Sequence, residues 1–189
     1  LLEYECIYAL EIIVVDDGSH DKSSDYVSEL SHVYPQIKLI KHAQNLGYGA
    51  ALKTAFANAS HEWICATDGD DEYDLYDLLR LWRHRNSYDL LITFRYTRLY
   101  SGYRIMLSII YNTVLRILFR TRYRDISTGL RLFRRSILDV IVLRSNSPFL
   151  GAELAIKACF EGFRVGEVGI QTFPRSIGRG SSTSYRNIL

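Results

Sequence analysis

The chain has 189 residues but only three cysteines and one methionine, and its first 79 residues contain no arginine. Cys6, Cys65 and Cys159 follow no metal or redox spacing. That excludes a cysteine-based centre and makes them reduced packing residues, as in a cytosolic setting. His20, His32, His42, His61 and His84 show no ligand spacing either. No apolar run reaches the ~20 residues of a membrane-spanning helix. The nearest, 105–119, is shorter and carries Asn112 and Arg116. There is no internal repeat and no clear linker, so the length points to one domain. An apolar fraction of 48% is ordinary for a globular core.

What the chain does have is charge, unevenly divided. Residues 1–79 carry 4 Lys against 15 Asp and Glu, and residues 80–189 carry 19 Lys and Arg against 6 Asp and Glu. A net charge of +2 therefore hides an acidic half and an arginine-rich half. The first suits a cation. The second suits phosphates, which arginine holds in bidentate fashion. A basic region usually suggests nucleic acid. Here it adjoins an acidic, metal-type stretch and an amphipathic apolar one, which favours small phosphates and a lipid surface over nucleic acid.

The acidic stretch is EWICATDGDDEYDLYD, residues 62–77. Its first half is short, apolar and β-prone, as in a strand buried on both faces. Asp68, Asp70, Asp71, Glu72, Asp74 and Asp77 then follow within ten residues. Carboxylates at the C-terminal end of a buried strand stand where open α/β sheets bind ligands. Asp68 and Asp70 flank Gly69 and can turn toward one point. Two such close carboxylates repel unless a hard cation, Mg²⁺ or Mn²⁺, joins them with a diphosphate. The competing reading is a helix N-terminus dressed with acids, which applies best to Asp74 and Asp77.

Around this stretch the pattern reads β-α-β-α-β-α-β. Strands are expected over 10–16, 37–40, 62–67 and 88–94. Helices are expected over 22–34, 50–59 and 75–85. The first strand reads as central and buried. Asp21 is the expected N-cap of the first helix, with Tyr26, Val27, Leu30, Val33 and Tyr34 facing inward. Such alternation implies a parallel sheet. Beyond it come an amphipathic helix over 103–120, a turn at 125–129 and a short strand over 130–134. Short helices over 136–143 and 151–160 and a strand over 164–170 complete the pattern. A polar Gly/Ser/Arg tail covers 171–189. The 105–119 helix either packs on the sheet or lies in a membrane interface, with Arg116, Arg120, Arg122 and Arg124 toward anionic head groups.

Four blocks in this order resemble family 2 glycosyltransferases of the GT-A fold. They are EIIVVDDGSHD (11–21), NLGYGAAL (45–52), ATDGDDEYD (66–74), and DISTGLRLFRR (125–135) with PRSIGRGSS (174–182). Within that family the chain looks most like the polyprenyl-phosphate branch, the dolichol-phosphate mannose and glucose synthases. The resemblance implies a single catalytic domain with a Rossmann-like, mostly parallel sheet and flanking helices. Its nucleotide-sugar half would be 1–94 and its acceptor half 95–189. The family's first strand, with its P-x-Y-N-E-like motif, has no counterpart here, so a fragment is expected.

The same resemblance implies roles. Asp16 and Asp17 hold the donor nucleoside, and Gly47 and Gly49 let the backbone pass close to it. Asp68 and Asp70 bind Mg²⁺ or Mn²⁺ and the donor diphosphate. Glu72 stands where the branch often has a Gln metal ligand. Arg95 and Arg104 match basic residues near the donor and acceptor phosphates. Arg175 and Arg179 match a mobile basic loop over the diphosphate. Asp125 opens the D-x-x-S-G-F-like motif, with Thr128-Gly129-Leu130 in place of Ser-Gly-Phe. The implied reaction is inverting transfer of a hexose from a GDP- or UDP-sugar to a polyprenyl phosphate at the cytoplasmic face of a membrane. Two alternatives stay open: a hydroxyl acceptor on a glycan or lipid, with Asp125 as base or merely as an orienting group, and a non-catalytic remnant.

For several residues the bland reading stands beside the functional one. Gly47 and Gly49 also suit a plain helix-entry turn, and Arg95 and Arg104 also suit solvated surface. Arg131, Arg134 and Arg135 read as surface or membrane-facing charge. Glu153 reads as structural, with an acceptor-side role as its alternative.

Overall fold

Apolar runs punctuated by turn residues divide the chain into twelve elements among the described residues. A computed structural model describes residues 7–70, 72–96 and 102–172, apart from the side chains at 75 and 104. In order these are β1 (Ile12–Asp16), α1 (Ser23–Val33), β2 (Ile37–Lys41), α2 (Tyr48–Asn58), β3 (Trp63–Ala66) and α3 (Leu75–Arg83). Then follow β4 (Leu90–Arg95), α4 (Gly102–Phe119), β5 (Arg131–Arg134), α5 (Ile137–Val140), α6 (Leu150–Phe160) and β6 (Val165–Ile170).

Local chemistry sets the element ends. α1 stops just before Pro35, which cannot continue a helix. Its N-cap is Lys22, not Asp21, although Asp21 Oδ1 still accepts from Ser23 N at 2.9 Å. α2 starts two residues earlier than the pattern suggests. Gly47 at φ 97° makes the turn and leaves Tyr48 already helical. Asp74 caps α3 by accepting from Tyr76 N at 2.9 Å.

The strands form two sheets. β1 and β2 pair in parallel, and a four-stranded sheet runs β3-β5-β4-β6. β4 and β6 are parallel, but β5 is antiparallel to both of its neighbours. The sheets are thus mostly parallel as expected, and β5, beyond the 10–94 alternation, runs the other way; the cause lies in the connection. Asp125 is bonded to Arg95 at the C-terminal end of β4, so the chain re-enters the sheet there and β5 must run backward.

Alternation along β4 and β5 splits the core into two layers. Leu90, Ile92 and Phe133 pack with Phe56, Ile64 and the α6 residues Leu150, Leu154 and Ala158. Leu91 and Leu132 pack on the other face with Leu81, Leu130 and Ile170.

Three expectations of burial are corrected. β1 is half-exposed along its length rather than buried. Its one pairing partner is β2, so its other edge has no ladder neighbour among the described residues. On α1, Val27 and Leu30 are half-buried, but Tyr26, Val33 and Tyr34 are exposed, because the small sheet offers too little surface to cover them. β3 buries Ile64 and Ala66 but leaves Cys65, on the opposite face, open. Cys6 lies outside the described residues.

Candidate active site

Asp68 lies two residues past the end of β3, and side chains and backbone from α2, residue 73 and the 125–129 turn close around it. Tyr48, in the first turn of α2, donates its hydroxyl to Asp68 Oδ1 at 2.8 Å. The other carboxylate oxygen lies on Gly129, where any Cβ would overlap it. Gly129 N in turn donates to Tyr73 Oη at 2.9 Å. Burial pushes the Asp68 carboxyl up, and Asp70 and Glu72 add to the rise by repulsion. The Tyr48 bond and the Arg131 charge oppose it. Gly69 faces open space, so the Asp68–Asp70 link is unobstructed. Asp70 Oδ1 accepts from Glu72 N at 3.3 Å, and Glu72 is buried. Among the described residues no three His, Cys, Asp or Glu side chains gather into a metal cage. The expected Asp68, Asp70 and Glu72 trio is therefore not assembled as a three-ligand set. Asp71 lies outside the described residues.

Asp17 sits on the strand-end turn of β1, and donors from its own chain engage it. Oδ1 accepts from His42 Nδ1 at 2.7 Å and Leu46 N at 2.9 Å, and Oδ2 accepts from Gly47 N at 2.9 Å. Burial would raise this carboxyl, but the His42, Leu46 and Gly47 bonds hold it below the usual range. The other ring nitrogen, Nε2, is hydrogen-bonded to Thr54 Oγ1 at 2.9 Å. Asp17 thus clamps the 45–49 turn against the end of β1. Asp16 closes its own turn by accepting from Ser19 N at 2.9 Å.

The two glycines of that turn have an unexpected neighbour. A Cβ on Gly47 would stand 2.9 Å from Asn146 O, and one on Gly49 would stand 2.6 Å from Asn146 C. Gly49 N donates to Asn146 O at 2.8 Å. The tight approach in this structure is to the loop before α6, some 97 residues later in the chain. Glu153 anchors that loop by accepting from Arg144 N and Ser145 N, each at 2.9 Å, and from Lys157 Nζ at 2.6 Å. Glu153 is therefore structural.

Asp125 is 1% exposed and its carboxylate is saturated. Oδ2 accepts from Arg95 Nη2 at 2.8 Å and Nε at 3.0 Å. Oδ1 accepts from Ser127 Oγ at 2.9 Å and Asn112 Nδ2 at 3.2 Å. Glu167 Oε1 holds the backbone N–H groups of Arg124 and Asp125. This cluster ties β4, α4, β6 and the 125–129 turn together. Arg95 belongs to it and faces the carboxylate. The Arg104 side chain, Arg175 and Arg179 lie outside the described residues. Thr172, just before the basic tail, bridges to Tyr73.

Arg131 is corrected outright. Expected at the surface, it is 2% exposed and lies under Gly151 in the first turn of α6. Tyr48, Tyr73, Asn112, Asn146 and Glu167 were given no role from sequence, and Arg131 was given only that of surface charge. Tyr48, Tyr73 and Arg131 do lie inside the motif blocks, which was the available signal. The other three have no local signature.

The family model for glycosyl transferase family 2 matches residues 1–142. A polyprenol monophosphomannose synthase of Mycolicibacterium smegmatis is 30% identical over 182 residues, covering 89% of this chain and 69% of that protein. A glycosyltransferase AglD of Haloferax volcanii is 27% identical over 88% of this chain and 28% of its own length. Among solved structures, glucosyl-3-phosphoglycerate synthase of Mycobacterium tuberculosis superposes with a TM-score of 0.67 at 16% identity, over 89% of this chain and 62% of that one. A Pyrobaculum calidifontis mannosyltransferase in complex with GDP-Man and Mn²⁺ superposes at 0.64 and 20% identity, over 90% and 49%. At that identity the structures establish the GT-A architecture alone. The chain spans about half to two thirds of the length of these solved structures.

Proposed function

From the premise that the chain belongs to glycosyl transferase family 2, a glycosyltransferase family, we propose that it moves a hexose, with inversion, from a GDP- or UDP-sugar to a polyprenyl phosphate at a membrane surface. The observation that carries the acceptor choice is the state of Asp125. A hydroxyl acceptor needs a base, and the motif's carboxylate is buried and bonded on both oxygens. A lipid phosphate brings an oxygen already ionised at neutral pH, so positioning dominates. The 30% identical relative is itself named a polyprenol monophosphomannose synthase.

The donor would bind at the end of β3. Asp68 and Asp70 are hard oxygen donors, and Asp68, raised first by burial, is also repelled by Asp70 and Glu72. Two carboxylates completed by diphosphate and water are the usual setting of Mg²⁺ or Mn²⁺, so the residues present fit the ion. When bound, it supplies Lewis-acid stabilisation of the leaving diphosphate. Tyr48, Tyr73 and Gly129 fix Asp68, while Asp17 and His42 shape the neighbouring turn. The bridge from Tyr73 to Thr172 brings Thr172 to the same edge.

α4 supports the lipid side. Tyr103, Met106, Ile109, Ile110, Val114, Ile117 and Leu118 are all exposed, whereas a surface helix normally turns its apolar stripe inward. Arg116 and Arg120 flank this face and are exposed toward its C-terminal end. No helix among the described residues is long and apolar enough to cross a membrane, so the face would lie on the bilayer.

The test is radiolabelled transfer from GDP-mannose and UDP-glucose to dolichyl and undecaprenyl phosphate in mixed micelles. Product with one donor, lost in Asp70→Asn, supports the reading. Transfer only to glycan or lipid hydroxyls, or none at all, overturns it.

A further inference from the structure

Arg131 carries its guanidinium into the core, where such a group is costly to bury without a carboxylate partner. It enters from β5, opposite Ala66 on β3 and two residues short of Asp68 in that register. Nη2 donates to Thr128 O, and Nε approaches Gly129 O at 3.4 Å. Gly151 roofs the group so closely that any Cβ there would overlap both terminal nitrogens. Among the described residues, the buried Nη1 has no hydrogen-bond partner and no carboxylate is bonded to Arg131. Its charge nevertheless acts through space on Asp68 and on the phenols of Tyr48 and Tyr111. Gly129 lies between the two, since Asp68 Oδ2 fills the space a Cβ would take there and its carbonyl accepts from Arg131 Nε.

For stability alone such an arrangement is pointless. A well-packed apolar side chain of similar volume commonly does as well or better than a buried ion. The gain lies at Asp68, a buried carboxylate repelled by Asp70 and Glu72. A fixed cation behind it draws it inward, and the same charge makes Tyr48 a stronger donor to it. We infer that Arg131 is a positioning residue for the donor site: its buried guanidinium, held by the Thr128 and Gly129 carbonyls beneath Gly151, keeps the Asp68 carboxylate on Tyr48 and Gly129, oriented to share a cation with the donor diphosphate. This inference rests on the donor reading of Asp68 and Asp70.

The experiment compares wild type with Arg131→Met, Arg131→Lys and Gly151→Ala. Gly151→Ala keeps the charge but displaces it. Thermal melting, free Mn²⁺ measured by electron paramagnetic resonance with GDP or UDP present, and crystal structures are the readouts. Arg131→Met is expected to fold with a melting point near wild type and to lose about tenfold or more in Mn²⁺–nucleotide affinity. Its Asp68 carboxylate should be swung off Tyr48. Arg131→Lys should recover part of the affinity, and Gly151→Ala should reproduce the loss. A folded Arg131→Met or Gly151→Ala that binds Mn²⁺–nucleotide within twofold of wild type overturns the inference. If Arg131→Met does not fold, Gly151→Ala and Arg131→Lys decide on the same criteria. If wild type binds neither nucleotide, the donor reading fails by itself. The position of Asp68 then decides, and a carboxylate unmoved from Tyr48 in the folded variants contradicts the inference.

Discussion

β1 and β4 are built from similar apolar runs, Ile12-Ile13-Val14-Val15 and Leu90-Leu91-Ile92-Thr93, yet they meet different fates. Leu90, Leu91 and Thr93 are fully buried, and β4 is paired on both edges, by β5 and β6. β1 is half-exposed, and one edge carries no partner among the described residues. The helices repeat the contrast: α6 buries eight residues and α1 buries none. Burial is conferred by neighbours, not by the strand's own letters. The β1–α1–β2 unit is held instead by polar clasps. Glu11 accepts from Lys38 Nζ, Ser60 N and Ser60 Oγ and ties the start of β1 to the start of β3. Asp17 does the same work at the opposite end.

The contrast can be broken at its strong side first. Phe133→Ala should cost about 3–5 kcal/mol, as for a large side chain removed from a sealed core. Val14→Ala should cost only about 1 kcal/mol, since β1 buries half as much. Denaturant unfolding of both variants measures the difference, and equal losses would erase it. Asp17→Ala comes next. It strands the His42, Leu46 and Gly47 donors and should cost about 2–3 kcal/mol. The loss should appear in amide exchange of β1, β2 and the 45–49 turn while β4 to β6 stay protected.

Acid should reveal the same order. Burial alone would raise Glu11, but its bonds to Lys38 and Ser60 hold it down at about 2. The stability it confers is thus complete above its ordinary value of 4.5 and is lost as pH falls toward about 2. Asp17 is also lowered and adds in the same direction. Asp68 is raised, so its protonation on acidification relieves strain in the other half. Amide exchange between pH 5 and pH 2 should show β1 and β2 opening before β4 to β6. Simultaneous opening would show the clasps to be immaterial. The smallest effect is Asp74→Ala. The lost α3 cap should cost about 1 kcal/mol in global unfolding and leave β1 and β2 untouched.

Much of this was legible because it is local. The acid run after a β-prone stretch located Asp68 and Asp70 at a strand end, and turn residues placed most helix ends within about two residues. What failed was distant in sequence. The reversal of β5 depends on where the 120–130 segment returns to the sheet, which Arg131-Leu132-Phe133-Arg134 does not encode. Arg131 looked like surface charge because arginine usually is, and only Gly151 and Asp68 make its burial intelligible. Gly47 and Gly49 read as glycines of a ligand turn. Their tight neighbour is Asn146, which no local pattern could name.

The most direct test of the donor site is calorimetric titration of GDP and UDP, each with Mn²⁺ or with chelator, into wild type and Asp70→Ala. The account predicts binding of one nucleotide that requires Mn²⁺ and disappears in the variant. Binding that persists with chelator, or survives Asp70→Ala unchanged, would contradict a metal-bridged donor site at the end of β3.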